Sequence, residues 1–158
     1  MHLIEALRHE LLVILVAALP VLELRGAIPL GLSFGMSHWH VFFLAVVGNL
    51  LPIFPLLYSI GPFYRWLQRH GYTRLADRFL MRTRVKSKSV AKYGAIGLML
   101  FVAVPLPGTG AWTGAVAAFI FGIPKRWALP AIALGTAIAG LIMVFLGGTV
   151  KWLLSRPI

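Results

Sequence analysis

Val104-Pro-Leu-Pro-Gly-Thr-Gly110 interrupts an apolar run that carries no charged side chain from Tyr93 to Pro124. Its two prolines remove backbone donors and its two glycines permit tight, non-helical backbone, so a straight helix is not expected to pass through it. The run is 32 residues long. As one helix it would measure about 48 Å against a hydrocarbon core of about 30 Å, and two complete spans would need roughly 40 residues and a turn. Two half-deep arms fit, and the segment reads as a re-entrant helical hairpin. Non-helical backbone at membrane depth is tolerated only where it is buried in protein or lines a wet cavity, so the break also marks where a site is expected.

A second break reads from Pro20 to Pro29, with Glu23 and Arg25 inside it and arms from about Leu3 to Leu19 and Leu30 to Met36. Ionisable side chains at bilayer depth cost a few kcal/mol on insertion scales and mark function by default. Composition supports the membrane reading. The chain is 59% hydrophobic and 12% charged, with a mean hydropathy of +0.88, against roughly 45–50% apolar and 25% charged in soluble domains. The N-terminal stretch carries Glu5, Arg8 and Glu10 and lacks a small-x-small cleavage site, so it is read as mature structure.

Net charge is +11, and nine of the 15 basic residues fall between Pro62 and Tyr93, opposed only by Asp77. A basic block placed directly against membrane segments is topogenic, which makes this linker cytoplasmic and argues against nucleic acid. Within it Leu75, Ala76, Phe79 and Leu80 oppose Arg74, Arg78 and Arg82 at helical spacing. A short helix lying on anionic lipid is one reading, and a solvated basic loop is the other.

A shift of 87 residues brings Phe34-Gly35 onto Phe121-Gly122, Gly48 onto Gly135 and Gly61 onto Gly148. The chain therefore reads as one transmembrane domain over residues 1–158, with a first repeat over about 1–61, a basic linker over 62–93 and a second repeat over about 88–150. Each repeat ends in a continuous apolar helix, Trp39 to Gly61 or Trp127 to Gly148, about 35 Å long. One linker between two single spans makes the first run inward and the second outward. The expected fold is an all-α integral membrane protein of two inverted repeats, each a re-entrant hairpin followed by one transmembrane helix, whose tips meet near the midplane.

Small residues follow each break, Ala27, Gly31 and Gly35 in the first and Gly110, Gly114 and Ala118 in the second, as in closely packed membrane helices. Trp39, Trp127 and Trp152 sit at span ends as interfacial anchors, whereas Trp112 directly follows the second break.

Glu23-Leu-Arg-Gly-Ala-Ile-Pro29 and Pro105-Leu-Pro-Gly-Thr-Gly-Ala-Trp112 resemble the paired signatures of the small multidrug export protein family, itself similar to the DedA or SNARE-associated superfamily. The resemblance implies a two-hairpin inverted-repeat fold in the inner membrane of a prokaryotic cell. It also implies proton-coupled transport or lipid translocation, including that of undecaprenyl phosphate, with drug-like compounds as the other substrate class. The chain departs from the DedA pattern in having a single acidic residue in the first hairpin and no arginine-rich motif after the second.

Half-helices beginning near Pro29 and Gly110 would aim their positive ends at the tips, and Arg25 adds a bidentate donor, so the expected ligand is an anionic head group. Glu23 would be its proton-linked partner, pairing with Arg25 when ionised and releasing it when protonated. A permanent Glu23–Arg25 or Glu23–backbone pairing that merely pins the hairpin is the alternative. The expected substrate-binding or proton-coupling set is Glu23, Arg25, Gly26, Pro29, Asn49, Pro105, Pro107, Gly108, Thr109, Gly110, Trp112 and Thr113.

Nothing in the sequence points to an enzyme, a cofactor or a metal. There are no cysteines and four acidic residues, and His2, His9, His38, His40 and His70 lack acidic partners at ligand spacing. Expected partners are the bilayer, anionic lipids at the linker and a small-molecule or lipid substrate, with a homo-oligomer left open. The rival reading is a non-catalytic membrane scaffold or assembly factor whose hairpins serve packing.

Overall fold

The computed structural model describes residues 2–71, 73–86, 88–106 and 108–154. Among them all regular structure is helical: α1 His2–Ala18, α2 Glu23–Ser33, α3 His38–Arg69, α4 Thr73–Lys86, α5 Lys88–Ala103, α6 Ala111–Ile120 and α7 Lys125–Leu154. The second break falls where the sequence places it, between α5 and α6. The first is shorter than expected. Pro20 disfavours helical backbone at Leu19 and ends α1, but the chain re-enters helix at Glu23, whose N–H donates to the Leu19 carbonyl at 3.0 Å. Glu23 and Arg25 therefore stand in the first turn of α2 rather than in a loop. Pro29 lies inside that helix and does not begin it.

α3 and residues 125–147 of α7 are long and apolar enough to cross a membrane. α3 continues past Gly61, its expected end. Pro62 forfeits one helical bond, but Phe63 stacked on Trp66 at 6.0 Å and the tilted contact of Trp66 with His70 at 4.6 Å hold the turns beyond it. α4 takes the helical option for the basic linker. In α5 the backbone departs from helix at Gly94, where the basic segment gives way to the apolar arm.

The first arm of each hairpin packs on the long helix that follows it, α1 on α3 and α5 on α7. Glycine makes both crossings possible. A Cβ on Gly48 would stand 2.7 Å from the Ile14 carbonyl oxygen, and one on Gly135 would stand 2.6 Å from that of Met99. The second arms touch their own long helix too and also reach the other half, α2 against α7 and α6 against α3. Leu32 lies over Gly147, and Phe119 over Gly61.

Two apolar clusters result. One gathers Val13, Ala17, Leu24, Val41 and Ala45 with Ala139, and the other gathers Ile53, Leu57, Leu98, Val102 and Ala115 with Ile132. α3 passes from the first cluster to the second and α7 from the second to the first, so the long helices lie antiparallel.

The 87-residue register has a local basis at the ends of α2 and α6. Gly35 and Gly122, with φ of 78° and 64°, follow the helices in the left-handed region. Each N–H returns to a carbonyl three residues back, Leu32 or Phe119, and the next N–H, of Met36 or Ile123, reaches back five, to Gly31 or Ala118. These are two Schellman caps with identical bookkeeping. Gly35 is thus a cap residue with open space around it, whereas Gly31 and Gly114 are the close-packing glycines of their arms.

Candidate functional site at the hairpin tips

Glu23 and Arg25 meet the second hairpin, and they meet different parts of it. The α5–α6 break ends one helix and starts another, so it exposes both kinds of unpaired backbone, carbonyls after α5 and N–H groups at the start of α6. Arg25 takes the carbonyl side. Its guanidinium donates to the carbonyls of Leu106 and Thr109, to Thr109 Oγ1 at 3.1 Å and, at 3.5 Å, to the Val104 carbonyl. The Thr109 hydroxyl ties the loop together by donating to the Val104 carbonyl at 2.7 Å.

Glu23 takes the N–H side. Its Oε1 accepts from the Trp112 N–H at 3.4 Å, and Gly110 lies against the carboxyl group. A Cβ at Gly110 would stand 2.7 Å from Glu23 Cδ. The backbone of Gly110 is extended, with φ of 162°, so glycine is required there for space. Glu23 is 6% exposed and has φ of 50°, a left-handed conformation that costs a non-glycine residue about 1–3 kcal/mol and is held only by its surroundings. The arrangement puts a carboxylate at the positive end of α6 and a guanidinium at the negative end of α5, so each charge complements the dipole it faces. The Trp112 indole adds a third cross-link by donating at 3.3 Å to the Ala18 carbonyl at the end of α1.

A family model described as "Putative small multi-drug export protein" matches residues 23–142, a stretch that begins at Glu23 itself, just past the first break, and takes in the second break, all of α3 and α7 as far as Ile142. The chain belongs to this small multi-drug export family. That family places it among membrane transporters rather than enzymes and implies a bilayer and a small-molecule substrate. No curated protein and no solved structure matches the chain.

Of the residues expected at the site of this small multi-drug export protein, Glu23, Arg25, Thr109, Gly110 and Trp112 come together in one contact network. The direct Glu23–Arg25 pair does not form as a hydrogen bond, because two residues on in a helix points the second side chain elsewhere. The expected anion position at α6 is occupied by the protein's own carboxylate. Pro105 lies in the loop that Arg25 binds, Gly108 is exposed with φ of 81°, and Pro107 lies outside the described residues. Gly26 packs on Leu22 and Val16, and Pro29 is exposed on α2. Thr113 bonds the Gly110 carbonyl at 3.2 Å.

Asn49 is fully buried, and neither its Oδ1 nor its Nδ2 has a hydrogen-bond partner. The sequence reading missed its counterpart. Thr136, 87 residues on, is also fully buried with an unpartnered hydroxyl. On each long helix this polar residue sits between the two apolar clusters, after Ala45 and before Ile53 on α3, and between Ile132 and Ala139 on α7. The 87-residue shift already in hand would have found it. His40 does gain an acidic partner, Glu10, at 3.1 Å, through an approach of α3 to α1 that spacing along one element does not reveal. Among the described residues no group of metal-ligating side chains forms.

Proposed function

We propose that the chain is a small proton-linked transporter whose two halves are inverted repeats, each a re-entrant hairpin and a membrane-spanning helix, and that it moves an anionic or amphipathic substrate through the contact between the hairpin tips. The observation that carries this reading is the crossed engagement of Glu23 and Arg25. Each occupies a backbone site that a substrate anion or its counter-group would want, and each can be exchanged. A carboxylate or phosphate presented to the start of α6 competes with Glu23 for the same N–H groups. Once displaced, Glu23 takes a proton more readily than it remains an uncompensated buried charge. Substrate arrival and proton uptake are then two faces of one exchange, and Arg25, with its rigid fork, offers the anion a second hold.

The long helices support the alternating half of the mechanism. They are antiparallel, cross their own first arms at glycine and carry the other half's second arm, so rocking one half moves one hairpin tip against the other. The substrate classes that fit are a lipid phosphate such as undecaprenyl phosphate and drug-like amphiphiles. The location that fits is the inner membrane of a prokaryotic cell with the basic linker in the cytoplasm.

One observation favours the packing alternative. The Glu23 carboxylate and both terminal nitrogens of the Arg25 guanidinium already have partners in the second hairpin, as a static clamp would have it. Reconstituted vesicles separate the two. Under the transport reading, Glu23→Gln retains substrate binding and exchange but loses accumulation driven by a pH gradient, and Arg25→Ala loses the substrate altogether. A Glu23→Gln, Arg25→Met double variant that is folded and still accumulates substrate against a gradient would remove both residues from the mechanism.

A further inference from the structure

Between α3 and α6 lies an apolar groove of about 520 Å³ that the crossed charges do not use. It begins at the hairpin tips, against Val21 and Trp112, runs along Ile60 and Leu67 of α3 and Phe119 of α6, and ends under Leu80 of α4. From Leu56 to Leu67, both in its wall, α3 rises about 16 Å. The groove is therefore long and narrow, and of the size of ligand sites generally, about 300–1,000 Å³.

Its far end has a distinct character. The end of α3 carries exposed Arg65 and Arg69, and α4 carries exposed Arg74, Arg78 and Arg82 on the side away from Leu80, with Asp77 the one acid of the segment. The Arg65 guanidinium and the Phe119 ring both come within 4.0 Å of where a Cβ on Gly61 would stand, which sets a cation beside the groove wall. Asp77 accepts a hydrogen bond from the Tyr64 hydroxyl at 3.0 Å. Tyr64 lines both the groove and an adjoining hollow of about 530 Å³ beneath α4, so this bond holds α4 down where it overhangs the groove.

We propose that this groove binds the hydrocarbon chain of a single-chain anionic amphiphile, with its head group at Arg65 of α3, inside the positive field of the neighbouring arginines, and its chain directed toward Trp112, and that α4 is the lid under which it enters. The proposal rests on the transport reading, whose substrate class it narrows. Charge selects the occupant. An apolar channel accepts any chain, but Arg65 beside its wall and the excess of arginine over Asp77 in the surrounding field favour an anion over a cation of the same shape.

Trp112 reports occupancy. In a variant with Trp39, Trp66, Trp127 and Trp152 changed to Phe, reconstituted in phosphatidylcholine nanodiscs, a bromine-tailed alkyl sulfate should quench Trp112 saturably. Its half-point should lie about tenfold below that of the alkyltrimethylammonium with the same tail. Raising the salt concentration should narrow that preference. Arg65→Gln should remove most of it, and Val116→Phe, which fills the groove, should weaken both ligands about tenfold. Equal or tighter binding of the cation, or quenching that grows linearly for both ligands as in simple partition, would overturn the proposal. The assay involves no transport, so saturable anion-selective quenching in a protein that moves nothing across a vesicle would sink only the transport reading. Transport left intact by Val116→Phe would sink only the groove's part in it.

Discussion

The two hairpins have the same plan, an arm, a break and a shorter second arm, yet they bring opposite materials to their meeting point. The α1–α2 hairpin contributes side chains, Glu23 and Arg25, from the first turn of α2. The α5–α6 hairpin contributes backbone, carbonyls from Val104 to Thr109 and the N–H groups that open α6. A break of four residues between α1 and α2 leaves little unpaired backbone. The seven residues between α5 and α6, with two prolines among them, leave a great deal. Charge and bare backbone thus sit on different halves and satisfy each other only when the halves are docked.

That asymmetry fails first if Gly110 tolerates a side chain. Gly110→Leu should abolish transport and lower thermal stability by about 3 kcal/mol or more, since its branches would displace a buried carboxylate from the α6 N-terminus. Gly108→Ala, at an exposed left-handed position two residues away, should cost only about 1–2 kcal/mol of strain and retain transport. Thermal melts of both beside a transport assay decide whether contact with Glu23 or mere looseness of the break is what matters.

On the side-chain half, Arg25→Ala should cost about 2–4 kcal/mol, because it strands the loop carbonyls and leaves Glu23 without a nearby cation. Arg25→Lys should recover less than half of that, for want of the fork that spans Leu106 and Thr109. Full rescue by lysine would mean that charge alone, not bidentate geometry, joins the hairpins. Thr109→Val should cost about 1 kcal/mol, through the hydroxyl that braces the carbonyl loop, and Thr109→Ser should be close to neutral.

The smallest effect tests the antiparallel helices rather than the tips. Thr136→Val deletes an unpartnered buried hydroxyl and should leave stability unchanged or raise it by up to about 1 kcal/mol. A clear loss of stability would show that a guest satisfies that hydroxyl in the folded protein.

Much of the plan is legible in the sequence because proline and glycine speak locally. Val104 to Gly110 is a break whatever surrounds it, and the Phe-Gly pairs at 34–35 and 121–122 cap their helices by local rules alone. The first break is overestimated for the opposite reason. Pro29 reads as punctuation, but a helix already under way absorbs it, and where that helix begins is decided by bonds from Glu23 and Gly26 back to Leu19 and Leu22. The partners of Glu23 and Arg25 are invisible in sequence since they are backbone atoms with no residue signature, reached across more than 80 positions. Asn49 stands out as a polar residue in an apolar helix, whereas Thr136 passes unnoticed because threonine is common in such helices and its burial depends on packing. Tyr64 and Asp77 escape notice because a linker helix had to be folded over before they could meet.

The long reach of those bonds has a consequence for how the chain is made. Trp112 lies 89 residues beyond the carboxylate it serves. At a synthesis rate of about 5–20 residues per second, Glu23 and Arg25 emerge roughly 5 to 20 s before the backbone that will neutralise them exists. During that interval both side chains lack the partners they have in the folded chain. The bonds that join the halves therefore form only after α6 has been made, which makes the docking of the two hairpins a late event in the folding of the chain.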